Sequence, residues 1–258
     1  DPTAAAFDND RTITREERVL IIDIGGGTSD FSLVRLAPER REVADRQADI
    51  LATGGVHIGG TDFDKQLSLH GVMPLFGWGS RMKSGALMPT SYHLNLATWH
   101  TINAVYARSS QLALQNMRYD IVDEAGINRL LRLIEQRAGH WLAIQMEAGK
   151  IALTQNHQHR IDLARIEPGL HAELSRGLFD SAIEALLQRI RESISEMLGT
   201  AGMDADQVDT LYFTGGSSGV PALRQSIAAM LPQARLVEGN LFGSIGSGLA
   251  IEAKKRYG

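Results

Sequence analysis

Two short apolar blocks stand near the start of the chain, Val19 to Ile24 and Phe31 to Leu36, and Gly25-Gly26-Gly27-Thr28 lies between them. Apolar runs of this length bounded by glycine predict buried strands, so the pattern predicts a β-hairpin with a glycine turn. A third strand is expected over Ala48 to Thr53. A glycine-rich loop, Gly54 to Gly60, then opens a helix at Thr61, where Thr61 and Asp64 have the form of a capping box with Asp in place of Glu. Further on, Leu130, Ile134, Trp141, Ile144, Ala148 and Ile151 recur at helical steps and predict one long helix from Asn128 to Thr154. His159 to Ile166 alternates as a strand does. Ile183, Leu187, Ile190, Ile194 and Met197 give one apolar face to a helix over Phe179 to Leu198. Val208 to Phe213 predicts a strand, followed by Thr214-Gly215-Gly216-Ser217-Ser218 and a helix with Pro221 in its first turn. A short strand is expected near Arg235 to Val237 and a last helix from Gly243. Strands punctuated by helices make the fold class α/β.

Composition narrows the functional classes. The 258 residues are 43% hydrophobic and 22% charged, the balance of a globular protein. A formal charge of -4 supplies no electrostatic reason to expect nucleic acid or an anionic membrane surface as partner. With no cysteine, thiolate nucleophiles, disulfides and cysteine-held zinc are excluded, and a cytoplasmic setting is expected. No apolar run approaches the roughly 20 residues of a spanning helix. The chain opens on Asp1-Pro2-Thr3-Ala4-Ala5-Ala6 without an initiator Met, which reads as a piece of something longer. Between Asp64 and Asp120 there is no acidic residue, while Lys65, Arg81, Lys83, Arg108 and Arg118 do occur there with Trp78, Trp99, Tyr92 and Tyr106. An inserted subdomain is expected from that island.

The string Asp23-Ile24-Gly25-Gly26-Gly27-Thr28-Ser29-Asp30 carries the sharpest chemistry. Bare glycines let backbone N–H groups approach phosphate oxygens, and a carboxylate at each end with a hydroxyl inside suits hydrated magnesium and a γ-phosphate. Gly59 and Gly60 precede a helix start, a natural seat for an anion. Glu147 and Lys150, three apart on one helical face, could reach a ribose or an adenine edge; spacing alone equally fits a solvated ion pair. Gly215, Gly216 and Ser217 could let a base lie against the backbone, or could form a tight strand-to-helix turn. His157 and His159 lack the third ligand that a metal site needs.

In this order the segments resemble the 70-kDa heat-shock (DnaK-type) chaperones. Asp23 to Asp30 is similar to their second phosphate hairpin, and His57 to Asp64 to their glycine loop and following helix. Met146 to Thr154 is similar to their nucleotide-edge helix, and Tyr212 to Pro221 to their adenosine strand and turn. Asp1 to Ala6 resembles the stretch leaving the first lobe, with Asp1 where the family has Glu, and Phe242 to Ala250 resembles the helix returning to it. The resemblance covers residues 1–64 and 146–258. Residues 65–145 are similar instead to the YegD-like branch of heat-shock-type proteins.

The resemblance implies a ribonuclease H-like lobe of an actin-like ATPase with an inserted α+β subdomain. It implies a tail over 1–18, a core over 19–60 and 175–240, an insert over 61–174, and a helix over 241–258 returning towards a first lobe that is missing here. It further implies ATP or ADP with Mg²⁺ as cofactors. Asp23 and Asp30 would act through metal-bound water with Thr28, and Gly25, Gly26 and Gly27 would hold the β- and γ-phosphates. Gly59 and Gly60 would lie near the phosphate tail, Glu147 and Lys150 at the ribose and base, and Gly215, Gly216 and Ser217 under the adenine. The family's arginine clamp on adenine is replaced by Ile151 and Gly219, which implies weaker and more apolar recognition of the base. Chaperone ATPase activity of the intact protein is the expectation, with the nucleotide, the first lobe and a client or partner at residues 65–145 as its partners. Two rivals stay open: a degenerate pocket serving as a partner-binding module, and a small-molecule kinase of the same superfamily.

Overall fold

The computed structural model describes residues 13–41, 43 and 45–238. The tail at Asp1 to Ala6, Phe242 and the helix expected from Gly243 lie outside the described residues. The chain divides into two compact units, one from residues up to 60 and from 185 onwards, the other from residues 61–184.

The first unit is built on a five-stranded mixed sheet of order β3-β2-β1-β6-β7. Its strands are β1 (Glu17–Ile24), β2 (Ser29–Leu36), β3 (Ile50–Val56), β6 (Thr210–Thr214) and β7 (Arg235–Glu238). β1 pairs antiparallel with β2 and β2 with β3, while β6 runs parallel to β1 and β7 parallel to β6. Central β1 is buried on both faces, which is why its sequence reads as a continuous apolar run rather than an alternation. Leu20, Ile22, Phe31, Leu33, Leu211 and Phe213 point to one face. There the C-terminal half of α6 (Arg176–Thr200) and α7 (Pro221–Met230) lie: Met197 packs beside Gly54, and Arg224 lies over the Phe213 ring at 5.4 Å. The opposite face carries Val19, Ile21, Val34, Leu36 and Tyr212 as a second apolar cluster with Ile13. This is the α/β ribonuclease H-like lobe expected from the sequence.

The second unit is mainly helical: α1 (Gly60–Leu67), α2 (Ser91–Leu96), α3 (Arg108–Met117), α4 (Glu124–Glu135) and α5 (Gly139–Gln155), joined by short 3₁₀ and π turns. An antiparallel hairpin of β4 (Gln158–Asp162) and β5 (His171–Ser175) closes it before α6 begins. Phe63, Leu67, Phe76, Ile102, Leu130, Leu133 and Leu142 are almost fully buried and form its interior.

Three expectations are corrected. The single helix over 128–154 is two helices, because α4 ends in a Schellman motif. Ala138 N–H donates to Leu133 O, Arg137 N–H donates to Ile134 O, and Arg137 takes φ 49°. An arginine in the place where glycine usually signals the stop hid the break. Gly139 then starts α5 with its N–H donating to Tyr106 Oη at 2.8 Å, and a Cβ there would lie 2.6 Å from Ile102 Cγ2. The strand expected over 159–166 stops at Asp162, and its partner β5 had no matching expectation. Finally, α1 begins at Gly60, so Thr61 lies inside the first turn rather than capping it, and the Asp64 carboxylate accepts from Lys150 Nζ at 2.9 Å instead.

Candidate functional site

The hairpin register brings Asp23 and Asp30 directly opposite each other as the penultimate pair before the turn. Side chains of directly opposed residues stand on the same face with Cβ atoms about 5 Å apart. In the adjoining strands Gly55 and Thr214 complete that row. Asp23 is half-buried and Asp30 exposed. Burial pushes the Asp23 carboxyl above the usual carboxylate range, and the neighbouring Asp30 charge pushes it further. Thr28 Oγ1 donates to Asp30 Oδ2 at 2.9 Å, which fixes the second acid against the turn.

The turn itself is closed by Gly25 N–H donating to Thr28 O at 2.9 Å. None of Gly25, Gly26 and Gly27 has a positive φ, and a Cβ on Gly26 or Gly27 would meet nothing within 4 Å. Neither backbone conformation nor internal packing therefore requires glycine at 26 and 27. Both residues are exposed, so what their bareness provides is close access from outside.

The glycine loop is docked onto this hairpin. Buried Ser29 donates its hydroxyl to Ile58 O at 2.6 Å, and Gly60 N–H donates to Gly25 O at 3.0 Å. Here glycine is demanded by packing, since a Cβ on Gly59 would sit 2.6 Å from the Gly26 and Gly27 backbone. Gly215 is demanded twice: its φ is +83°, and a Cβ would stand 2.4 Å from Asp23 Oδ1 and 2.5 Å from Ile24 O. The strand-to-helix turn that follows is held by Ser218, whose N–H and hydroxyl both donate to Gly215 O. Gly216 is exposed and Ser217 buried within it. Asp23, Asp30, Thr28, Gly25 to Gly27, Gly59, Gly60 and Gly215 to Ser217 thus all belong to the sheet unit, where the loop and the turn after β6 both close on the hairpin end.

Glu147 and Lys150 belong to the helical unit. Glu147 is exposed on α5, whereas Lys150 is buried and paired with Asp64 of another helix rather than standing on a solvated face. Burial lifts the Asp64 carboxyl to about 6, the Lys150 ammonium opposes this, and the Glu147 charge adds to it. Sequence reading missed the Asp64–Lys150 pair. Its only signal was an acid three positions into a helix whose apolar residues, Phe63 and Leu67, flank it. No group of three or more acidic or histidine side chains suited to a metal occurs among the described residues, and none of their helices is long and apolar enough to cross a membrane.

The Hsp70 protein family model matches residues 1–75 and 121–254. The family pattern thus continues through 65–75 and 121–145, further than residues 1–64 and 146–258, and steps over 76–120. Over 255 residues the chain is 27% identical to a chaperone protein HscA homolog of Pseudomonas putida, covering 98% of this chain and 31% of that protein. It is 25% identical over 238 residues to a chaperone protein dnaK of Cyanidioschyzon merolae, covering 90% of this chain and 30% of that protein. The chain spans about a third of the length of these curated relatives. A match of this extent, on a sheet of this topology, places the chain in the Hsp70 family.

Proposed function

We propose that the hairpin end of the sheet seats the phosphates and magnesium of ATP or ADP, and that this chain is the nucleotide-binding lobe of a heat-shock 70-type chaperone ATPase. The observation that carries this reading is the pair of exposed glycines, 26 and 27, which the fold does not need, set between two facing acids. Backbone N–H groups of Gly25 to Thr28 would receive the β- and γ-phosphates, with Gly59 and Gly60 beside them and Gly215 to Ser217 beneath the base. Asp23 and Asp30 fit a hydrated magnesium ion, because both are hard oxygen donors and the Asp30 charge opposes ionisation of Asp23 until a cation intervenes. Held by these two acids, such an ion would supply charge neutralisation to the phosphates. Thr28 holds Asp30 in place, and half-buried Asp23 stands between Asp30 and Thr214 in the row. Hydrolysis, client binding and a cytoplasmic setting are proposed for the intact protein by its family, since fold alone assigns none of them.

Calorimetry with magnesium and ADP tests this on the wild-type chain, Asp23→Ala and Asp30→Ala. The expected result is measurable binding that falls at least tenfold in each variant. Equal affinity in all three overturns the reading. Ile151 is 59% exposed and Gly219 has open space around it, so neither position offers a guanidinium to stack on adenine. Undetectable binding by the wild type would therefore favour a degenerate pocket and the partner-binding alternative.

A further inference from the structure

The helical unit holds a cavity of about 270 Å³ whose walls include Asp64 of α1, Ala143, Met146 and Glu147 of α5, and Leu96 and Trp99. The last two come from residues 76–120, the stretch that the Hsp70 family pattern steps over, so the cavity is not explained by what the family shares. Its walls are not inert. Two carboxylates, Asp64 and Glu147, line it, and the Lys150 ammonium pairs with the first, which leaves a net negative charge. Lys150 engages Asp64 Oδ2, while Asp64 Oδ1 is buried with no hydrogen-bond partner. Buried polar atoms are rarely left so, and this one belongs to a side chain that lines the cavity. Trp99 is 52% exposed, an unusual state for an indole, and its ring is steadied by an edge contact with His140 at 4.9 Å.

We propose that this cavity binds a small organic cation, an amine carried on an apolar or aromatic body. The ammonium would meet Asp64 and Glu147, and the body would lie among Leu96, Met146 and Ala143 with the Trp99 ring against it. A neutral ligand leaves the excess carboxylate charge unmet, and an anion adds to it. The aromatic ring also attracts a cation through its face. A carboxylate's terminal torsion is broad, so a modest turn presents Oδ1 to the cavity while Oδ2 keeps Lys150. Asp23 and Asp30 of the sheet unit line no part of this cavity, while Glu147 among its walls is also a residue that the resemblance puts at the ribose and base.

The test titrates the 258-residue chain with phenethylamine and with its neutral analogue 2-phenylethanol, by calorimetry and by the Trp99 indole N–H resonance. The amine is expected to bind and to shift the Trp99 signal, with the alcohol at least about tenfold weaker. Trp99→Ala, at the rim, is expected to weaken the amine about tenfold. Glu147→Gln, also on the surface, should weaken it a few-fold, and Ala143→Phe should abolish binding by filling the space. Asp23→Ala should leave amine binding unchanged whether or not nucleotide binding is lost, so the two readings fail separately. Equal affinity for amine and alcohol, or amine binding that survives Ala143→Phe, would each overturn the proposal.

Discussion

Asp23 in the sheet unit and Asp64 in the helical unit are both carboxylates that burial holds above the usual range, yet their neighbours act in opposite directions. Beside Asp64 stands the Lys150 ammonium, which opposes the effect of burial. Beside Asp23 stands Asp30, which reinforces it. The helical unit supplies the counter-charge for its own buried acid, whereas the sheet unit places a second acid opposite the first and leaves the turn between them bare. Burial alone therefore does not separate a carboxylate with a counter-charge in the fold from one without. The sign of the second influence does, because a like-charged pair at an accessible edge is relieved only by something bound from outside.

That contrast can be broken at several points. The largest effect is expected from Lys150→Met, which strands Asp64 without its partner and should cost about 3–5 kcal/mol in urea denaturation. The deficit should shrink on acidification. The carboxyl of Asp64 is raised in the folded state, so its protonated form favours folding fully below the ordinary value of 3.8, and that contribution is lost as the pH climbs through about 6. A loss that stays constant from pH 7 to pH 4 would show that the pair is not what tolerates the buried acid.

Next in size, Gly215→Ala should destabilise the sheet unit by about 2 kcal/mol, through its positive φ and the contact with Asp23 and Ile24. Gly26→Ala should change the urea midpoint by less than about 0.5 kcal/mol in stability while weakening nucleotide, because space is open at that Cβ. If both alanines cost alike, the distinction between glycines that packing requires and glycines that access requires falls.

Smaller in energy is Asp30→Asn, for which the affinity for magnesium and ADP should fall about tenfold, equivalent to about 1.4 kcal/mol. Its thermal midpoint should hold or rise, since a repulsion is removed. The smallest effect is read by carbon NMR of Asp23: its titration midpoint should move down, towards the ordinary carboxylate value, in Asp30→Asn. A midpoint that does not move means the two acids do not sense each other.

Much of this was readable from local pattern. The hairpin, the Gly25 to Thr28 turn and the helix starting at Pro221 stand where the apolar blocks and turn residues put them, because strand and helix periods are properties of near neighbours. The candidate site was half legible. The string from Asp23 to Asp30 is contiguous, so its two acids had to face each other once the hairpin formed. Which of its glycines serve packing was not legible, since Gly59 meets the Gly26 and Gly27 backbone only after the loop folds over. Spacing allowed Lys150 to stand with Glu147 at a ribose or base or in a solvated ion pair, and did not show that Asp64, 86 positions away, pairs with it.

The amino-acid order by itself determined the α/β class, the strand hairpin and the acid-flanked bare turn, all of which follow from spacing along the backbone. Only the tertiary structure decided that Arg137 would break a long helix, that Asp64 would neutralise Lys150, and that Trp99 would stand at a cavity beside them. Each of those outcomes depends on which distant surfaces meet when apolar faces are buried, and no local period records that meeting.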